Sequence, residues 1–307
     1  MLRSLIKKAS QVDGLLRKGE EGQYLSLISE LLKTNNIEVG RNGQTLADFG
    51  ASMVFSLENG KLPLLTTKRV AWKTCLRELL WFISGSTDND VLKSKNVKIW
   101  NLNATREFLD GRGLTHLEEG DLGPVYGHQW RHFNATYGSR NDDYTGKGVD
   151  QLSYIIDSLK NPEKRSSRRM VMSAWNPCQI DQMALPPCHV LCQFNVLEGK
   201  KLSCSLYQRS GDVGLGVPFN IASYSFLTHL LAKHCDLEPY EFVYNLGNCH
   251  IYSDHCEALT SQIQRDPFDF PTVKIVEKRD NIDDYVETDF LVEGYKCHDT
   301  VKMQMRQ

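Results

Sequence analysis

The sequence predicts an α+β fold arranged around one sheet. Three features carry that expectation: strongly apolar helical stretches at 70–84 and 221–235, a strand pair at 189–197 and 201–207 around EGKK, and no regular βα alternation. In chain order, Leu25, Ile28, Leu31 and Leu32 recur at helical spacing within 23–34, which predicts an amphipathic helix. Residues 35–48 are polar and hold Gly40 and Gly43, so a loop is expected there. The run 49–57 (FGASMVFSL) alternates weakly and reads as a strand, and Pro63 closes the next turn. Residues 70–84 (VAWKTCLRELLWFIS) are apolar on nearly every face, which predicts a buried helix. Residues 101–148 lack periodicity and are rich in Gly, Asp, Asn and Tyr, so they read as a long loop, functional or mobile. A helix is expected at 149–160, a buried strand at 170–175 and, from 272, strand-like pieces between acidic turns.

Composition narrows the function classes. The chain has 307 residues, 41% hydrophobic and 24% charged, which excludes a disordered or collagen-like protein. Its formal net charge of −2 supplies no global basic field for a long nucleic acid, so an anionic ligand needs a local arginine cluster. The nine cysteines are odd in number and form no CxxC pair, which fits a reducing compartment such as the cytoplasm, with the nucleus as a second location. No apolar run approaches the ~18 residues that a membrane helix needs. The start MLRSLIKKASQV has no acidic residue but also no apolar signal core; residues 1–22 read as a solvated N-terminal extension ahead of one domain at 23–307.

Several side chains carry chemical promise. Cys188, after two prolines and before His189, stands where a nucleophile could begin a strand, although a buried cysteine is more often a small core residue, as Cys192 and Cys204 can be. Arg168 and Arg169 precede the 170–175 strand, Arg209 opens RSGD with Ser210, Gly211 and Asp212, and Arg41 sits in the polar loop; guanidinium groups clamp phosphate through paired, charge-assisted bonds. Glu78 lies among Leu79, Leu80, Trp81 and Phe82, where burial would raise its pKa and suit it to proton relay; a salt bridge to Arg77 is the alternative. Cys249, His250, His255 and Cys256 lack zinc spacing, so no metal is expected. GLGVPFN (214–220) matches neither phosphate-loop pattern, but Asn220 at the start of a buried helix could read the edge of a heterocycle.

Taken together, LPLLTTKRVAWK (62–73), RELLWFISG (77–85), GDLGPVYGHQWR (120–131), RRMVMSAWNP (168–177), MALPPCHVLCQF (183–194), LSCSLYQRSGDVGLGVPFNIASY (202–224), LGNCHIYSDH (246–255) and VEGYKCHDTVKMQM (292–305) closely resemble the thymidylate synthases, in their longer eukaryotic and viral form. The resemblance covers about 23–307 and implies a large twisted mixed sheet, one face of which forms a homodimer interface. It implies methylation of dUMP at C5, with 5,10-methylenetetrahydrofolate as co-substrate, dihydrofolate as by-product and no metal. Cys188 would attack C6, and Arg209 with the other arginines would lower its thiol pKa. Arg41, Arg209, Ser210, Gly211 and Asp212 would bind the nucleotide from one subunit, and Arg168 with Arg169 would complete the partner's site. Asn220 would pair with the uracil edge, and His250 and Tyr252 with the sugar. Glu78, Tyr126 and His189 would order the proton network. Ile99, Trp100, Asn103, Asp212, Leu215, Gly216, Phe219, Tyr252, Met305 and Arg306 would wall the folate.

Departures from the family pattern are a shortened loop at Arg41, Asn101 after Trp100, Asn248-Cys249 before His250, and a polar end at Gln307 that predicts looser closure of the tail. Two further readings are carried: a folate-dependent deoxynucleotide hydroxymethylase, against which Trp100 and Asn220 argue, and RNA binding, as a minor role or as the role of a silent homologue.

Overall fold

A computed structural model of the chain describes residues 18–40 and 42–305. The N-terminal stretch 1–17, Arg41, Arg306 and Gln307 lie outside the described residues, and with them the expectations placed on the basic start, the phosphate loop's arginine and the polar end. Helix α1 (Gly22–Leu32) buries Tyr24, Leu25, Leu27, Ile28 and Leu31 along one face, as its spacing predicts. Just ahead of it, the buried carboxylate of Glu21 accepts four hydrogen bonds of 2.6–2.8 Å from the backbone and hydroxyl groups of Thr66 and Thr67.

The expected loop at 35–48 is instead two strands. β1 (Ile37–Gly40) pairs antiparallel with β2 (Gly43–Ser56), from Ile37 opposite Leu46 to Gly40 opposite Gly43. β1 is exposed along its whole length; Ile37 and Val39 alternate with Glu38 and Gly40, but four residues are too few for that period to register, and backbone pairing makes it a strand.

Helix α2 (Trp72–Ile83) buries Cys75, Leu76, Glu78, Leu79, Trp81, Phe82 and Ile83. After α3 (Asn89–Ser94), the 101–148 segment is more ordered than its composition predicts: it contains α4 (Arg106–Gly111) and α5 (Tyr126–His132). Helices of six and seven residues are too short for periodicity to register. Polar bonds hold the rest of the segment, with Asp121 accepting from Tyr137 at 2.6 Å and from the Arg140 backbone at 2.9 Å.

Helix α6 (Gln151–Lys160) leads to β3 (Val171–Ser173), then β4 (His189–Leu197) and β5 (Lys201–Asp212) form the expected hairpin. Helix α7 runs Gly216–His234, five residues earlier than 221. Pro218 looks like a breaker in sequence but is harmless in the first turn, where a backbone N–H has no partner to lose. Asn220 therefore lies inside the helix rather than at its start. β6 (Glu238–Tyr252) completes the main sheet, and α8 (Cys256–Gln262) follows it.

The main sheet has the order β1-β2-β6-β5-β4-β3. Only β5 and β6 are parallel, and α7 is the crossover that joins them. Sheet residues such as Met53, Phe55, Phe194, Phe242 and Tyr244 are buried, with α7 packed on β5 and β6 and α1 on β2. The opposite face leaves Val54, Tyr207 and Val171 exposed. The one-sheet expectation needs an addition: β7 (Thr272–Ile275) and β8 (Phe290–Glu293) form a separate two-stranded sheet, tied to α7 by an edge-on contact of Phe290 with Phe226. Among the described residues no helix is long and apolar enough to cross a membrane.

Candidate active site

The chain enters β4 through Pro186, Pro187 and Cys188. The carbonyls of the two prolines accept hydrogen bonds from Arg209 Nη2 and Nε at 2.9 and 2.8 Å, and the Arg209 backbone N–H donates to the Cys188 carbonyl at 2.9 Å. So held, Arg209 Nη2 lies 3.8 Å from Cys188 Sγ, with its guanidinium 5.5 Å from the Trp175 ring centre. The expected lowering of the thiol pKa is corrected by the surroundings. Burial pushes the Cys188 thiol above its ordinary value, and Arg209 offsets only part of that.

Tyr126 begins α5. Its hydroxyl accepts the backbone N–H groups of Cys188 at 2.8 Å and His189 at 3.3 Å, which leaves its own proton free to donate elsewhere. Asn220 Nδ2 donates to His189 Nε2 at 2.7 Å. Burial lowers the His189 pKa to about 4, so the ring is neutral and Nδ1 carries its proton. That Nδ1 is buried and has no hydrogen-bond partner among the described residues. Glu78 on α2 accepts from Trp100 Nε1 at 2.7 Å, and burial raises its pKa to about 7 despite that bond. Arg77, the alternative partner, instead pairs with Glu287. Ring contacts link the group: Tyr126 lies 5.1 Å from His189 and 6.1 Å from Trp100.

Ser210, Gly211 and Asp212 lie opposite Asn248, Cys249 and His250 across the parallel strands. A Cβ at Gly211 would fall 2.7 Å from the Leu246 side chain, so a larger residue there would require Leu246 to move. Asp212 Oδ1 accepts the backbone N–H groups of Gly214 and Leu215 at 2.8 and 3.2 Å, shaping the turn into α7. His250, Tyr252 and Asn248 line a cleft of about 270 Å³ with Glu38, Gly40 and Asn42. Asn248 Nδ2 donates to Glu38 at 3.1 Å, so its Oδ1 is the acceptor that faces His250 Nδ1 at 2.9 Å. His250 Nε2 is thereby left as an acceptor suited to a hydroxyl group.

Of the proposed folate wall, Trp100 and Asn103 are buried, and Ile99 and Phe219 pack partly buried against the core. Gly216 adjoins Asn220 and Asp212. Asn103 Nδ2 is buried without a hydrogen-bond partner among the described residues, a donor that a polar heterocycle would satisfy. Met305 is exposed.

Two residues stay away from this cluster. Arg168 and Arg169 are exposed before β3. Val171 lies opposite Gln193, whose Nε2 donates to the Arg168 carbonyl at 3.2 Å, five residues along the chain from Cys188. At about 3.3 Å per residue that is a separation of roughly 15 Å along the strand.

Three neighbours were not singled out from sequence. Trp175 lies by Arg209, and Gln208 Nε2 donates to the Ser210 carbonyl at 2.8 Å. Lys68 donates to the Gly214 carbonyl, and burial lowers its pKa to about 8. Only Lys68 had a local signal, as the first of two cations after the uncharged run LPLLTT. Among the described residues no three His, Cys, Asp or Glu side chains gather as a metal site.

The family model for thymidylate synthase matches residues 22–307. The chain is 53% identical over 287 residues to the human thymidylate synthase, covering 93% of this chain and 90% of that protein. It is 51% identical over 296 residues to the enzyme of human herpesvirus 8, covering 96% and 87%. The bifunctional dihydrofolate reductase-thymidylate synthase of Zea mays is 51% identical over 287 residues, but the chain spans only 54% of its length.

Proposed function

The chain belongs to the thymidylate synthase family, the methyltransferases that convert dUMP to dTMP with 5,10-methylenetetrahydrofolate as co-substrate, and we propose that it does so through a covalent adduct between Cys188 and C6 of the uracil. The observation that carries this reading is the placement of Arg209 against the Cys188 sulfur, with Tyr126, His189 and Asn220 in one bonded group beside it. Cys188 adds as the thiolate to C6, and the electron pair moves toward C5 and O4. C5 bonds to the one-carbon unit as that unit's bond to N10 of the folate opens. Loss of the C5 proton breaks the remaining bond to N5 and leaves an exocyclic methylene. Hydride from the tetrahydrofolate so released completes the methyl group as the sulfur departs with its electrons. Dihydrofolate is the second product.

The residues divide this work. Asn220 retains a second amide proton and its carbonyl for the O4 and N3–H edge of uracil, while one proton is spent on His189. The free Tyr126 proton, His189 Nδ1–H and the Glu78 carboxyl, with its pKa near 7, are suited to passing protons around O4 and C5. Arg209, Ser210 and Arg41 take the phosphate, and His250 Nε2 accepts the sugar hydroxyl next to Tyr252. Trp100, Asn103, Asp212, Leu215, Gly216, Phe219 and Met305 line the folate side.

Arg168 and Arg169 are exposed about 15 Å along the strand from their own Cys188, which supports their service in a second copy. The exposed sheet face bearing Val54, Tyr207 and Val171 is where that copy would pack as a homodimer. Free cysteines fit the cytoplasm, with the nucleus as a second location. A minor RNA-binding role would survive loss of Cys188, which separates it from catalysis.

The test is the absorbance rise from dihydrofolate with dUMP and methylenetetrahydrofolate, together with the mass of the product nucleotide. A methylated product and dihydrofolate, both lost in Cys188→Ser, are expected. A hydroxymethylated product without dihydrofolate would overturn the reading in favour of the hydroxymethylase.

A further inference from the structure

His255 stands directly before α8 and is fully buried, yet neither the proposed chemistry nor a metal uses it. Its Nε2 lies 2.9 Å from the carbonyl oxygen of Gln304. A carbonyl only accepts, so Nε2 is the donor. Nδ1 is buried and has no hydrogen-bond partner among the described residues. It faces Gly214: a Cβ built there would lie 3.2 Å from His255 Nδ1, 3.1 Å from Met303 Sδ and 3.2 Å from Asp212 Oδ1. The C-terminal segment, the imidazole and the turn carrying Asp212 thus meet at one point that a glycine leaves open. The turn is braced from the other side, where Lys68 donates to the Gly214 carbonyl and Asp212 accepts the Gly214 N–H. The His255 ring also stands edge-on to Tyr252 at 5.5 Å, and Tyr252 edge-on to His250 at 5.4 Å.

We propose that His255 is a positioning residue for the folate half of the site: it fastens the C-terminal segment at Gln304 to the Gly214 turn, so that residues 303–305 and Asp212 take up their places together. The proposal rests on the reading of Asp212 and Met305 as folate contacts. The chain comes back to this spot from 49 positions away. A single side chain that donates to the returning backbone and packs against the turn makes the two move as a unit. Loss of the donor leaves the Gln304 carbonyl to water and frees the segment. Loss of one such buried bond corresponds to about a tenfold change in an equilibrium.

The experiment uses the full chain in two variants. His255→Phe keeps a ring against Tyr252 and removes the donor; His255→Gln keeps an N–H of similar reach. Release of residues 305–303 by carboxypeptidase is followed by mass spectrometry, and KM is measured separately for dUMP and for methylenetetrahydrofolate. His255→Phe is expected to release these residues about tenfold faster and to raise the folate KM about tenfold, with the dUMP KM unchanged. His255→Gln should restore both toward the parent. Parent-like release from a folded His255→Phe chain would overturn the proposal, as would an equal rise in both KM values or faster release with an unchanged folate KM. If His255→Phe does not fold, His255→Asn replaces it: its shorter amide should release the segment faster than His255→Gln, and equal rates overturn the proposal. Failure of the underlying functional reading shows separately, as no folate turnover in the parent chain, because the protease readout needs no catalysis.

Discussion

Arg209 reaches back across the sheet to hold Cys188: its guanidinium bonds the two proline carbonyls ahead of the cysteine and stops 3.8 Å from the sulfur. The two effects on the thiol oppose each other, since burial raises its pKa and the guanidinium lowers it. Arg209→Met keeps most of the volume and removes the charge, so burial acts alone and the pKa rises further. The alkylation rate of Cys188 by iodoacetamide, measured against pH, should move its midpoint upward. At any pH below the midpoint, alkylation slows about tenfold for every pH unit that the midpoint rises. An unmoved midpoint would show that the guanidinium acts on phosphate alone.

Glu78 has a folded pKa of about 7 against an ordinary 4.5. Between those values the folded chain holds a proton that the unfolded chain has released, so stability falls as pH rises through that window. The loss is on the order of 3 kcal/mol by pH 8. Glu78→Gln can still accept from Trp100 and no longer titrates. It should melt above the parent at pH 8 and close to it at pH 4.5, while turnover falls and loses its inflection near 7. An equal melting difference at both pH values would refute the assignment.

Glu21 accepts four bonds through two oxygens at the start of α1. In Glu21→Gln one oxygen becomes an NH2 group that cannot accept from a backbone N–H. One buried donor is then orphaned, at a cost of about 1–3 kcal/mol. Urea unfolding should show a lower midpoint with an unchanged slope.

The separation of Arg168 and Arg169 from Cys188 predicts complementation. Cys188→Ser and Arg169→Ala chains should each be nearly inactive alone. Mixed and allowed to exchange subunits, they should recover up to about one quarter of parental activity, since half the dimers are mixed and each has one intact site. No recovery after demonstrated exchange would place Arg169 outside the partner's site.

The legible part of this protein is its chemistry-bearing segments and its longer apolar elements. The buried helices at Trp72–Ile83 and Gly216–His234 and the β4–β5 hairpin carry their own periodicity or turn chemistry, and local rules are enough to place them. Cys188, Asn220 and Glu78 stand out because each is a reactive or polar type set in a context that is otherwise apolar or proline-rich, and Arg209 because it opens the polar RSGD stretch at a strand end. β1 was not legible, because its backbone pairs while every side chain faces water. Neither were the short helices α4 and α5, whose order comes from contacts made elsewhere in the fold.

The amino-acid sequence by itself determined the family, the reaction and the residue types that serve it, because those reside in contiguous motifs. The tertiary structure decided which groups touch and in what protonation state. It set Arg209 against Cys188 from 21 positions away, yet left the thiol pKa raised because burial outweighs one guanidinium. It gave Glu78 to Trp100 rather than to Arg77, and it seated His255 beneath Gln304. Solvent exclusion and long-range approach fix these outcomes, and neither is a property of neighbouring residues in a chain.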